Sequence, residues 1–183
     1  MKRAILPLMA CSMLLMLIAS MHSKLHLNLS ASAPAGLWSE RPINPARIKR
    51  GTLVSVCPPD LPVVRRVVEL KLLPEGDCPN TNTVPFLKPV AAVSGDVVKI
   101  QKGQPAKVNG LAIPNTIAKH SLPAWPDGEY TVNQNEVWIF SSYSKDSFDS
   151  RYFGPVGIDQ IKGEAAPLWV SGDVAAITGG NND

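Results

Sequence analysis

The sequence predicts a mainly β protein: an antiparallel, partly closed β structure with one short helix, set behind an N-terminal transmembrane anchor. Three observations predict it. Short apolar and β-branched segments recur at about 8–12 residue spacing between turn signals. One segment, 61–73, instead spaces its valines as a helix does. The hydrophobicity is concentrated at the amino terminus, in an uncharged run over 4–21. A chain of 183 residues has room for one domain, and its 17 prolines and 13 glycines make it turn-rich without reaching low complexity. Collagen, a disordered tail protein, a disulfide mini-scaffold and a polytopic membrane protein are excluded. A net charge of +3 without a basic cluster gives no nucleic-acid footprint.

The run over 4–21 follows Lys2 and Arg3. At 1.5 Å per residue it reaches about 27 Å as a helix, enough to cross a hydrocarbon core of about 30 Å. Positive charge before it keeps the amino terminus in the cytoplasm and sends the rest outside. Residues 1–24 therefore read as a cytoplasmic start and transmembrane anchor, 25–170 as an exported domain, and the Gly/Asn-rich 171–183 as a flexible tail. The competing reading is a cleaved signal peptide, whose apolar region is usually about 7–15 residues long. Ala31-Ser32-Ala33 has the small-x-small form of a cleavage site, but it lies well past the run and Pro34 follows it. Retention is favoured.

Cys11 falls within the anchor, leaving Cys57 and Cys78. In an oxidising compartment an even pair reads as one disulfide, with two reduced core thiols as the alternative. No metal is expected, because these cysteines and the three scattered histidines lack zinc spacing. No cofactor is expected either, since the chain has no glycine loop that could cradle a phosphate.

Along the exported part, 42–51 reads as an irregular basic stretch and 52–57 as a strand. Asp60 and Pro62 resemble a helix start, with Asp60 as cap. The helix then runs over 61–73, although alternation within 63–70 keeps a strand open. Strands follow at 86–93, 97–100, 106–108, 111–113, 130–132, 137–141, 153–156, 158–161 and 168–170. Asn109-Gly110 marks a tight hairpin, and Asn133-Gln134-Asn135 a second turn.

Few residues are placed for chemistry. No histidine stands in a nucleophile-elbow context, which argues against a Ser-His-Asp triad. The segment 28–38 alternates small residues with Ser30 and Ser32, then Pro34 and Gly36 fix the chain. On composition alone it reads as a linker. Lys88 is a single charge inside the apolar stretch 86–93. Desolvation there disfavours its ammonium, and a neutral lysine can take the proton of a serine. A snorkelling lysine with its ammonium in water is the plain alternative. Asp149 and Arg151 flank Ser150 and read as a salt bridge bracing a loop.

Taken in order, these segments resemble the serine–lysine signal peptidases. The matching features are Ser32 with Pro34, Lys88 followed by Gly95-Asp96-Val97, Val108-Asn109-Gly110, and Asp149-Ser150-Arg151 with Gly154. Ser32-x-Pro34-x-Gly36-Leu37-Trp38, Cys57-Pro58-Pro59, Cys78-Pro79 and Arg151-Tyr152-Phe153-Gly154-Pro155 are similar to the conjugative-transfer, TraF-type branch that processes pilins. The resemblance runs from the anchor to about Trp169.

It implies a signal-peptidase-like fold, Ser32 as nucleophile, Lys88 as general base and Ser30 as an oxyanion donor. Ser147, which would hydrogen-bond the lysine, and Asp149 and Arg151 would be supporting residues. It also implies a pilin precursor or another exported pre-protein as partner, with the bilayer as the second. The chain would be single-pass in the bacterial inner membrane, its catalytic domain facing the periplasm. Some relatives in this branch join the pilin ends by aminolysis, and nothing in the sequence separates that from hydrolysis. A general type I leader peptidase and an inactive anchored scaffold are the other readings. Two departures stand out. Pro89 replaces a common arginine, which predicts an edge position for its strand. Residues 141–146 stand where a glycine-acid-asparagine segment is usual.

Overall fold

The computed structural model describes residues 24–178, with the side chain of Thr178 excepted. The anchor expected at 1–24 thus lies, but for Lys24, outside the described residues. Among those residues no helix is long and apolar enough to cross a membrane. The elements are β1 (Lys24–Asn28), β2 (Ala35–Arg41), β3 (Leu53–Val56), α1 (Pro62–Glu69), β4 (Phe86–Ala92), β5 (Val97–Ile100), β6 (Lys107–Val108) and β7 (Leu111–Ala112). They continue with β8 (Gly128–Thr131), β9 (Glu136–Ile139), α2 (Ser150–Phe153), β10 (Val156–Gly157), β11 (Ile161–Ser171) and α3 (Ala175–Thr178). The fold is mainly β and antiparallel, with few helices, as its alternating apolar segments require.

Two sheets result. The larger has the order β1-β2-β11-β3-β4-β9-β10 and the smaller β7-β6-β5-β8. A core of Val54, Val56, Phe86, Val90, Ile139 and Phe153 fills one face of the large sheet, sealed by Val64 of α1. A second core gathers Ala92, Val98, Val108 and Trp138 where the small sheet meets β4 and β9. A third, of Ala33, Trp38, Ala165 and Ile177, lies under the β1–β2 end.

The hairpin at Asn109-Gly110 forms as expected, with φ of 49° and 84° at the two turn residues. It also explains the glycine-acid turn before β5. The buried Asp96 carboxylate accepts from the Val93 amide at 2.9 Å and from Asn109 Nδ2 at 2.8 Å. Asn109 Oδ1 accepts from the Val97 amide at 2.9 Å, so one side chain lashes hairpin to turn. Cys57 and Cys78 form a disulfide with a Cα–Cα distance of 5.4 Å, tying the end of β3 to the loop that leads into β4.

Several expectations need correction. The helix is shorter than 61–73, because Lys71 takes φ 54° just beyond it. Asp60 does not cap it; its carboxylate is held by Arg65 at 2.6 and 2.9 Å, and Leu61 caps with no side-chain bond. The strand carrying Pro89 is interior, between β3 and β9. Proline is tolerated because pairing to β9 begins only at Val90↔Ile139, beyond the amide proton that Pro89 lacks. Of the strand expected at 153–156, Phe153 ends α2, which Asp149 caps, Gly154 turns the chain at φ 70°, and only Val156 lies in a strand, the two-residue β10. A 3-10 turn, Ile158–Gln160, replaces the strand at 158–161. The short strand at 168–170 is the end of the eleven-residue β11. Residues 24–41 are a hairpin, not a linker, with Leu27 opposite Leu37 and His26 opposite Trp38. The segment after β11 packs as far as Thr178: Ile177 is fully buried and receives the Ser142 amide at 3.2 Å on its carbonyl.

Candidate active site

The turn joining β1 to β2 carries Ser30 and Ser32, and Asn28 builds it. Asn28 Oδ1 accepts from the Ser30 amide at 3.2 Å and from Ser30 Oγ at 2.7 Å. Asn28 Nδ2 lies 3.1 Å from each of the carbonyls of Ala33 and Pro34. From the other side the indole of Trp38 donates to the Pro34 carbonyl at 3.1 Å. Ser30 Oγ and Ser32 Oγ are 3.2 Å apart. A hydroxyl has one proton, and that of Ser30 is committed to Asn28, so Ser32 donates to Ser30.

Lys88 stands on β4 opposite Val54 and is 2% exposed. Burial pushes its ammonium down to about 8; nearby Asp149 opposes this and Arg151 reinforces it. Its Nζ lies 5.8 Å from the centre of the Phe86 ring and, among the described residues, makes no hydrogen bond. Ser147 Oγ, expected to bond the lysine, is buried without a hydrogen-bond partner. A snorkelling lysine is therefore not what the fold contains.

Asp149 and Arg151 form a buried two-pronged pair, Nε–Oδ1 and Nη2–Oδ2 both at 2.8 Å. Complete burial of such a pair requires every remaining donor to be met. The guanidinium does this by donating to the carbonyls of Asn115 at 2.7 Å, Ser141 at 3.3 Å and Lys145 at 3.4 Å. The carboxylate also caps α2 by accepting from the Arg151 amide at 3.2 Å.

Ser141 connects the two halves. Its amide donates to Asp149 Oδ2 at 3.1 Å, and its hydroxyl donates to the carbonyl of Ser32 at 2.8 Å. The structure thus brings Ser30 to Ser32, Asp149 to Arg151, and the Ser32 backbone to Asp149 through Ser141. It brings Lys88 into the electrostatic reach of Asp149 and Arg151, but no hydrogen bond joins Lys88 to the Ser32 hydroxyl. Sequence reasoning missed Asn28 and Ser141. Asn28 had a signal, since an asparagine two residues before a serine readily closes a local turn. Ser141 had none, because the partner of its hydroxyl, Ser32, lies 109 residues away.

The residues offer a hydroxyl on a braced turn and a buried amine that sheds its proton near pH 8.

The chain matches the family model "Signal peptidase, peptidase S26" over residues 2–170. It is 33% identical over 141 residues to the plasmid transfer protein TraF of Escherichia coli, covering 73% of this chain and 76% of that protein. It is 32% identical over 148 residues to the conjugal transfer protein TraF of Agrobacterium tumefaciens, covering 78% and 81%. Superposition on a signal peptidase I of Enterococcus faecalis V583 gives a TM-score of 0.36 at 16% identity, over 63% of this chain and 94% of that one. On the strength of the sequence matches, the chain belongs to the signal peptidase family, peptidase S26, and is a homologue of the TraF conjugal transfer proteins.

Proposed function

We propose that the protein is a membrane-anchored endopeptidase with a Ser32–Lys88 dyad, acting on a pilin precursor in conjugative transfer. The observation that carries this reading is the buried Lys88, whose ammonium is brought down to about 8 beside the Asp149–Arg151 pair. A merely structural lysine has no reason to be buried where its ammonium is this much easier to deprotonate.

In the proposed reaction the neutral Lys88 amine takes the proton of Ser32 as Oγ attacks the scissile carbonyl. Ser32 first leaves its hydrogen bond to Ser30. The Ser32 amide and the Ser30 hydroxyl, turned away from Asn28, donate to the oxyanion; one such donor is worth about 2.7–4 kcal/mol of barrier. The Lys88 ammonium then protonates the leaving amine, and an ester to Ser32 remains. Water, activated by Lys88, releases the acid; an amine attacking in its place forms a new peptide bond. Periplasmic work at the bilayer is supported by the apolar face that the β1–β2 hairpin presents, with Leu25, Leu27 and Leu29 all more than half exposed.

The test is co-expression with the pilin precursor, read by mass spectrometry of the pilin. Ser32→Ala and Lys88→Ala should each abolish processing, and Ser30→Ala should slow it. Processing at the normal rate in Ser32→Ala or Lys88→Ala would refute the dyad. An inactive scaffold would support pilus assembly with Ser32→Ala in place. The mass of the mature pilin separates hydrolysis from ring closure, which differ by one water.

A further inference from the structure

Residues 171–178 lie beyond the family match, which ends at 170. They are nonetheless seated in a cluster that holds the residue after Ser32 and is packed by the residue before Lys88. The chain leaves β11 at Gly172, whose φ of 113° suits glycine, and where a Cβ would meet Tyr143 Oη at 2.9 Å and Pro34 Cβ at 3.7 Å. Asp173 Oδ1 accepts from the Ala175 amide at 2.9 Å and starts α3. Ile177 is then fully buried, in one cluster with Ala33 and Trp38 against which Leu87 and Tyr143 also pack, and α3 as a whole contacts β4. Ala33 follows Ser32 in the chain, and Leu87 precedes Lys88.

The backbone of α3 is gripped as well. Ser142 Oγ lies 2.6 Å from the Ala176 carbonyl and 2.9 Å from that of Ile177, donating to one at a time. The Ser142 amide donates to the Ile177 carbonyl at 3.2 Å, and Asn115 Nδ2 holds the Ser142 carbonyl at 2.7 Å. Ser142 adjoins Ser141, whose hydroxyl holds the Ser32 carbonyl. A single-turn helix has almost no stability of its own, so its place depends on these contacts.

We infer that the segment 172–178 is a clasp that sets the Ser32 turn against the Lys88 strand, with Ile177 and Ser142 as its positioning residues. The inference rests on the Ser32–Lys88 reading. Neither residue touches the reacting atoms. Ile177 fills the cluster that joins the neighbours of nucleophile and base, and Ser142 fixes this wedge to the backbone that carries Ser141. Loosening the wedge misplaces attacking and accepting atoms, and misplacement of about 1 Å can cost 100-fold in rate.

The experiment uses the full chain in phospholipid vesicles and an internally quenched peptide spanning the bond that the wild type cuts in a co-expressed pilin precursor. Ile177→Ala should lower kcat at least tenfold and leave KM within twofold, with the pH midpoint of the rate unchanged. Ile177→Val should restore kcat to within threefold of wild type. Ser142→Ala, which removes one hydroxyl and leaves the apolar cores untouched, should still fold and should lower kcat three- to tenfold; it decides the matter if Ile177→Ala does not fold. Wild-type kcat in Ser142→Ala, or in a folded Ile177→Ala, overturns the clasp. A raised kcat or lowered KM also overturns it, because the segment would then be a plug that substrate displaces. Turnover surviving in Ser32→Ala would instead defeat the dyad itself, so the two failures are told apart.

Discussion

Burial and charge act on Lys88 in opposite directions, and the outcome decides both rate and stability. Desolvation lowers its ammonium and outweighs the attraction of Asp149, leaving it at about 8 against an ordinary 10.5. At pH 7 about a tenth of the molecules then carry the neutral amine, and at pH 8 about half. The peptidase rate should therefore rise nearly tenfold from pH 6 to 7, bend near 8 and level off above it. A rate already flat from pH 6 to 9 would exclude Lys88 as the base. The stability sign follows from the same shift. Between about 8 and 10.5 the unfolded chain holds a proton on this lysine that the native chain has lost. Native stability therefore rises with pH across that window, by about 3 kcal/mol for this group, and is lowered by that amount below it. Lys88→Met should remove the rise and be more stable than wild type at pH 7, as read by urea unfolding at pH 7 and 10. Equal stability of the two at pH 7 would mean that the lysine keeps its water.

Among the elements, those set by alternation were legible and those set by tertiary hydrogen bonds were not. The strands β3, β4, β5 and β9 and the hairpin β6–β7 show in the sequence because each puts valines or isoleucines on one face and a turn residue at its end. The segment Ser150–Phe153 has the aromatic content of a strand and yet is helical, because Asp149 caps it and turns it over the buried guanidinium. Only the ends of β11 were recognised, because most of its length is partly exposed and no apolar stripe marks it. At the site, Ser32, Lys88, Asp149 and Arg151 could be singled out as residue types in order. Their coupling could not, since it passes through Ser141, 109 residues from Ser32. The disulfide belongs to this scale too. It closes a loop of 21 residues between β3 and β4, the strand that carries Lys88. Replacing both cysteines by serine should cost about 3 kcal/mol in the chain-entropy model, or about 6–12 °C in melting temperature. Non-reducing calorimetry of the double variant checks this; a shift below about 2 °C would mean that α1 and the loop are held without it.

On the scale of the whole molecule the polar interior of the site contrasts with an apolar corner outside it. Leu25, Leu27 and Leu29 are 62%, 67% and 79% exposed, and Trp169 is 83% exposed. Leu27 and Trp169 share one row across the sheet, because Leu27 pairs with Leu37 of β2 and Leu37 with Trp169 of β11, and Leu25 lies two residues before Leu27 on the same face of β1. A contiguous apolar row of this kind in water calls for a partner surface. The run 4–21 ends just before β1, so an anchored chain brings this corner to the bilayer first, with the Ser32 turn at the tip of the same hairpin. A tryptophan at such a corner sits at the headgroup level, where its apolar body and polar N–H are both accommodated. Full-length protein in vesicles containing brominated lipid should therefore lose tryptophan fluorescence, and Trp169→Phe should abolish most of that loss. Trp38 and Trp138, each 1% exposed, report from the interior and should stay bright. Leu25→Ser combined with Leu27→Ser should weaken the quenching of Trp169 and slow processing of a membrane-held precursor, while sparing a soluble peptide. Quenching unaffected by Trp169→Phe would mean that the corner faces away from the lipid and that the Ser32 turn meets its substrate from another side.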